Sequence, residues 1–97
     1  INVNEIAYFK AEDNEVQIIT ENSKRYFIDY SLEQLGAIVD PNIFFRANRS
    51  YLINITSINK ISKYFNSRIH LELVPATEDS LLISRVKVPD FLNWIDK

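Results

Sequence analysis

The run Phe44-Phe45-Arg46-Ala47-Asn48-Arg49-Ser50-Tyr51-Leu52-Ile53-Asn54 holds the residues of this chain best suited to recognition chemistry. Arg46, Asn48, Arg49 and Ser50 form a basic and polar cluster between two apolar anchors, Phe44-Phe45 and Tyr51-Leu52-Ile53. A guanidinium forks onto a phosphate or a guanine edge. An asparagine amide pairs in the same two-point way with an adenine edge. A serine hydroxyl donates to a phosphate oxygen. Anchoring a short polar segment at both ends orders it before it binds, which lowers the entropic cost of recognition. The plainer reading is that Arg46 and Arg49 are solvated and pair with nearby carboxylates.

Charge is unevenly placed along the chain. The net charge is −2, which by itself argues against nucleic acid. Residues 1–45 sum to −5, residues 46–87 to +4 and the last ten to −1. Arg46, Arg49, Lys60, Lys63, Arg68, Arg85 and Lys87 make up the basic half. Such asymmetry fits one basic face on an acidic body.

Other chemistries lack their parts. There is no cysteine, so neither a disulfide nor a thiolate metal site is possible, and a reducing compartment fits. The single histidine, His70, falls on the polar face of an alternating strand and is expected to be an exposed imidazole. One glycine, Gly36, cannot build a phosphate-cradling loop. Glu12, Asp13 and Glu15 lack the spacing of a calcium loop and read as a solvated turn. The expectation is therefore a protein that is not an enzyme, with no cofactor and no metal. No run spans a bilayer and no secretory signal is present, so a cytoplasmic location is expected. The chain opens on Ile1 rather than Met, as a piece of a longer protein would.

The elements that must position the cluster are mostly strands. Ile6-Phe9, Val16-Thr20 and Tyr26-Tyr30 read as strands, with polar turns at Glu12-Glu15 and Glu21-Lys24. Ser31 opens a helix to Val39, with Gln34 placed to complete a capping box, and Pro41 stops it. Gly36 weakens this helix, which must rely on packing by Leu32, Leu35 and Ile38-Val39. Ile58-Phe65, Ile69-Leu73 and Leu81-Ile83 read as further strands. A closing helix near Pro89-Ile95 would dock through Phe91, Leu92, Trp94 and Ile95. The expected fold class is mainly β, a small sandwich-like arrangement of short, mostly antiparallel strands with two short helices. Residues 1–97 make one domain, a size that needs an efficient core.

The order of these features resembles the LytTR domain, a DNA-binding domain of bacterial response regulators. The resemblance is carried by Glu5-Ile6-Ala7-Tyr8-Phe9, the Ser31-Leu32 helix, the Phe44–Asn54 string and Ile83-Ser84-Arg85. It covers essentially the whole chain. It implies that loops, rather than a recognition helix, enter the major groove. The first loop would present Asn14 within Asp13-Asn14-Glu15. The second would present Asn48, Arg49 and Ser50, and the third Ser84, Arg85, Val86 and Lys87. Arg49 and Arg85 would make the strongest contacts, with Phe44, Phe45, Tyr51 and Ile53 holding the second loop and Asn54 satisfying backbone groups at its end. The resemblance further implies a sequence-specific output domain of a two-component transcription regulator, acting on double-stranded DNA, on direct repeats, below an upstream receiver domain.

The chain departs from the family pattern in three places. Asn48 stands where His is usual, and it cannot titrate near neutral pH. Val86 stands where a second Arg is common; it either offers an apolar contact to DNA or packs inward at the start of the closing helix. Asp13 and Glu15 put negative charge into the first loop. The alternative function is a β-rich protein-interaction or sensing module without DNA binding.

Overall fold

The structure is a computed structural model that describes residues 2–96. The outer limits of the expected 1–97 domain, Ile1 and Lys97, lie outside the described residues. The strands are β1 (Ile6–Glu12), β2 (Glu15–Thr20), β3 (Arg25–Ile28), β4 (Phe44–Arg46), β5 (Tyr51–Asn54), β6 (Ile58–Tyr64), β7 (Arg68–Leu73) and β8 (Leu81–Ile83). The helices are α1 (Leu32–Ile38) and α2 (Val88–Ile95). One sheet has the order β3-β2-β1-β5-β4 and the other β6-β7-β8, with every pairing antiparallel. The expected mainly β class with two short helices holds.

The larger sheet is covered on both faces, which is why its central strand reads as a continuous apolar run rather than an alternation. Ala7, Tyr8, Ile19, Tyr51 and Ile53 pack on one face against Leu71, Leu81 and Ile83 of the smaller sheet and Phe91 and Trp94 of α2. Ile6, Phe9, Val16, Ile18 and Leu52 pack on the other face against Leu32 and Leu35 of α1. The layers therefore run α1, large sheet, small sheet. Phe45 joins α2 to the edge strand β4, its ring 5.6 Å from Phe91 and 5.0 Å from Trp94. Trp94 Nε1 donates to the Pro41 carbonyl at 2.9 Å.

The capping box forms as expected: Ser31 Oγ accepts from the Gln34 amide at 3.0 Å, and Gln34 Oε1 accepts from the Ser31 amide at 2.9 Å. Asn54 also acts as expected, donating to the Ile6 carbonyl at 2.9 Å and accepting from the Thr56 amide at 2.9 Å.

Several local readings are corrected. Ile38 and Leu92, expected to pack their helices, are exposed, and the third strand ends at Ile28 rather than Tyr30. The first strand does not stop near Phe9 but runs to Glu12, because Lys10 is held by carboxylates and its backbone pairs with Gln17 and Tyr51. The anchors of the polar cluster are themselves paired strands, β4 and β5, with Phe45 opposite Ile53 and Arg46 opposite Leu52. The strand expected over Ile58-Phe65 ends at Tyr64, where a tight turn closes with the Arg68 amide donating to the Phe65 carbonyl and with Asn66 and Ser67 at φ of 60° and 61°, the pair of positive values of a type I′ turn. His70 is not fully exposed: it is half-buried, its ring 6.3 Å from that of Tyr64.

Candidate nucleic-acid interface

The loop between β4 and β5 is braced from within. The Asn48 side chain folds back on its own loop, Oδ1 accepting from the amides of Ser50 at 2.8 Å and Tyr51 at 3.1 Å. This is the local side-chain-to-backbone bonding that suits Asn to turns. Arg46 caps the outward carbonyls. Its Nε donates to the Asn48 carbonyl at 2.7 Å and its Nη2 to the Arg49 carbonyl at 3.0 Å. The Ser50 carbonyl accepts from Ala11 at 2.8 Å, tying the loop to the end of β1. With its backbone held, the loop presents the exposed Arg49 and the half-buried Ser50.

The loop between β8 and α2 is a turn in which the Ser84 carbonyl accepts from Lys87 at 2.9 Å and Val88 at 3.0 Å. Ser84, Arg85 and Val86 are exposed. Val86 is 83% exposed, so the inward-packing reading of this residue is overturned. Lys87 is half-buried, with its ammonium 5.3 Å from the Phe45 ring centroid. Burial lowers its pKa, the charge of Arg46 lowers it further, and Asp90 partly offsets both.

These two loops are neighbours. Asn48 Nδ2 donates to the Leu82 carbonyl at 3.4 Å, a long bond that joins the second loop to the strand feeding the third. Lys87 adds a contact through Phe45. Among the described residues, none of Arg46, Arg49 and Arg85 forms an ion pair, so the carboxylate pairing expected as the plainer reading of Arg46 and Arg49 is not seen there.

The first loop is a two-residue hairpin joining β1 to β2, with Glu12 opposite Glu15. Asp13 and Asn14 have φ of 51° and 65°, the pair of positive values a type I′ turn requires. Asn and Asp tolerate this geometry better than other non-glycine residues. Asn14 lines an open groove of about 570 Å³ together with Arg49 and Ser50, so the first and second loops meet there. Glu12, Asp13, Glu15 and Glu33 also line it, and they leave the groove acidic around the two arginines Arg46 and Arg49.

Sequence reasoning missed Lys10. Its side chain is 6% exposed, with Nζ 3.2 Å from Glu12, 3.8 Å from Glu78 and 3.8 Å from Asp79. Glu78 also pairs with Arg25 at 3.5 Å. Burial opposes the charge of Lys10, but the hydrogen bond to Glu12, the Tyr51 phenol once it ionises, and the charges of Glu78 and Glu12 outweigh it and raise its pKa. This network straps the segment before β8 onto β1, directly below Tyr51 and Ser50. The visible sign was a lysine inside an apolar strand; its partners Glu78 and Asp79 are remote in sequence.

Among the described residues no helix is long and apolar enough to cross a membrane, and no group of acidic or histidine side chains is arranged to hold a metal ion.

The family model of the LytTr DNA-binding domain matches residues 1–96. A response regulatory protein of Vibrio cholerae is 32% identical over 76 residues, covering 75% of this chain and 29% of that protein. The transcriptional regulatory protein YpdB of Escherichia coli is 27% identical over 89 residues, covering 92% of this chain and 36% of its own length. The chain thus spans about a third of the length of these curated relatives. A solved LytTr DNA-binding domain from Bacillus cereus superposes with a TM-score of 0.85 at 18% identity, covering 100% of this chain and 86% of that one. That likeness establishes the same fold. The match over nearly its whole length places this chain in the LytTr DNA-binding domain family.

Proposed function

We propose that this domain is the DNA-reading part of a transcription regulator and that its three loops enter the major groove together. The observation that carries the reading is the state of Arg49 and Arg85. Both are exposed and without ion pairs among the described residues, on loops joined through the Asn48–Leu82 hydrogen bond. Unpaired guanidiniums on braced loops suit forked contacts to guanine edges or phosphates.

Within this reading, Arg49 and Arg85 contact bases or phosphates. Ser50, Ser84 and Asn14 add hydrogen bonds, and Val86 meets an apolar edge such as a thymine methyl. Lys87 reaches a phosphate by leaving the Phe45 ring. Asn48 works through the loop it braces. Residues 1–97 act as one non-enzymatic domain of a longer cytoplasmic protein. An upstream receiver domain pairs two copies on direct repeats, and linkage between the copies raises the affinity of each. Selection of bound duplexes from a random DNA pool tests the reading. An enriched half-site, lost with Arg49→Ala or Arg85→Ala, supports it. Recovery of no preferred sequence favours the protein-interaction alternative.

A further inference from the structure

The β6–β7 hairpin carries charge and aromatic surface that none of the three loops uses. Phe65 is 77% exposed and Tyr64 42% exposed, and their rings meet edge-to-face at 5.4 Å. Arg68 is held in place rather than free. Its Nε donates to the Phe65 carbonyl at 3.0 Å and its guanidinium lies 5.0 Å from the Tyr64 ring centroid. Among the described residues neither Arg68 nor Lys63 forms an ion pair, whereas nearby Lys60 pairs with Glu72 at 4.0 Å. A stacked and pinned guanidinium with its terminal nitrogens uncommitted is pre-ordered for a phosphate, so little side-chain entropy is lost on contact.

Strand register decides where this cation stands. Ile69 pairs with Ile83, so continuing the antiparallel ladder brings Arg68 beside Ser84, the first residue of the third loop. Tyr64 pairs with Arg68, which sets Lys63 and Tyr64 one strand further out, about 5 Å away. The third loop and the hairpin tip therefore leave the small sheet at the same end.

We infer that the β6–β7 hairpin is a fourth DNA-contacting element, in which Arg68 and Lys63 grip backbone phosphates flanking the bases read by the three loops. This rests on the DNA-reading assignment above. The contact carries no base preference, since phosphates are alike in every sequence. Removing two phosphate contacts should make the salt slope shallower by about two. At 0.1 M salt each contact is worth about eightfold in affinity, so their joint loss is on the order of 60-fold.

The test measures duplex affinity from 0.05 to 0.3 M salt for the parent, Arg68→Gln/Lys63→Gln, Arg68→Lys and Lys63→Gln alone. Melting temperatures are measured alongside. The duplex carries the selected half-site either with long flanks or trimmed to the half-site. The double variant should bind the long duplex weakly with a shallower slope, keep the parent's base preference and match the parent on trimmed DNA. Arg68→Lys should keep the slope. Lys63→Gln, at an exposed position, should lower the slope by about one without changing the melting temperature. An unchanged affinity and slope for Lys63→Gln and the double variant would overturn the inference and leave the aromatic tip to a protein partner. A parent that selects no duplex at all would instead overturn the DNA-reading assignment itself.

Discussion

Arg46 donates from Nε to the Asn48 carbonyl at 2.7 Å, and this bond separates two arginines that look alike in sequence. Arg46 lies in β4 opposite Leu52, and its fork is filled by the loop's own carbonyls. Arg49, three residues on, is exposed and without an ion pair among the described residues. One arginine holds the loop and the other stands exposed on it.

Arg46→Lys should therefore loosen the loop, because an ammonium cannot hold both carbonyls with the geometry of a planar fork. The expected cost is about 1.5–3 kcal/mol of stability, the range for hydrogen bonds to charged groups. Amide exchange at Ser50 and Tyr51 should quicken. Unchanged exchange at these two amides would show that Arg46 is not the brace.

Val86→Arg should leave the melting temperature within about 0.5 kcal/mol equivalent of the parent, since the position is 83% exposed. It should raise non-specific affinity, steepen the salt slope by about one and shift the preferred base beneath the third loop toward guanine. A selected site identical to the parent's would remove residue 86 from the reading surface.

The two arginines and Val86 also show what sequence could reveal. Charge summed along the chain placed the basic groups in residues 46–87, and the alternation of Ile69 to Leu73 and the Ser31–Gln34 capping box were legible because they depend on neighbours within four residues. The strand β4 was missed because three residues are too few to show a period. The inward role of Arg46 depends on pairing register with Leu52, and the role of Lys10 on carboxylates brought from Glu78 and Asp79. Both are long-range facts that composition does not contain. The outward position of Val86 was open for the same reason: a valine before a helix packs or points away according to the turn, not its own type.

Lys87→Met should stabilise the free domain and weaken DNA binding. Burial and the charge of Arg46 lower the Lys87 pKa, so the folded state disfavours its charged form at neutral pH. An apolar side chain over Phe45 removes that penalty. A melting temperature below the parent's, or duplex affinity at the parent's level, would contradict this.

Alkaline pH should unfold the domain. Burial raises the pKa of Tyr8 and Tyr51 above 10.0, and the nearby cation Lys10 offsets only part of that rise. Above that value the unfolded state loses its phenolic protons first, so stability falls as pH rises. Lys10, with its pKa raised above 10.5, contributes stability below that value and loses it as pH climbs through the folded pKa. Lys87 acts in the opposite sense, gaining stability as pH rises from its lowered folded pKa toward 10.5. Three groups against one should bring the melting temperature down between about pH 9.5 and 11.5. A flat profile over that range would argue against the buried Lys10–Tyr51 arrangement.

Duplex affinity of Arg49→Ala, Arg85→Ala and the parent, measured on the selected half-site across a salt series, tests most directly whether the braced loops read DNA. The parent should show a slope of about −4 to −5 in log K against log salt, as expected for about five phosphate contacts. Each alanine variant should lose about 1–3 kcal/mol on the selected site while keeping the parent's melting temperature. A flat salt dependence, or arginine variants that bind the site as tightly as the parent, would contradict it.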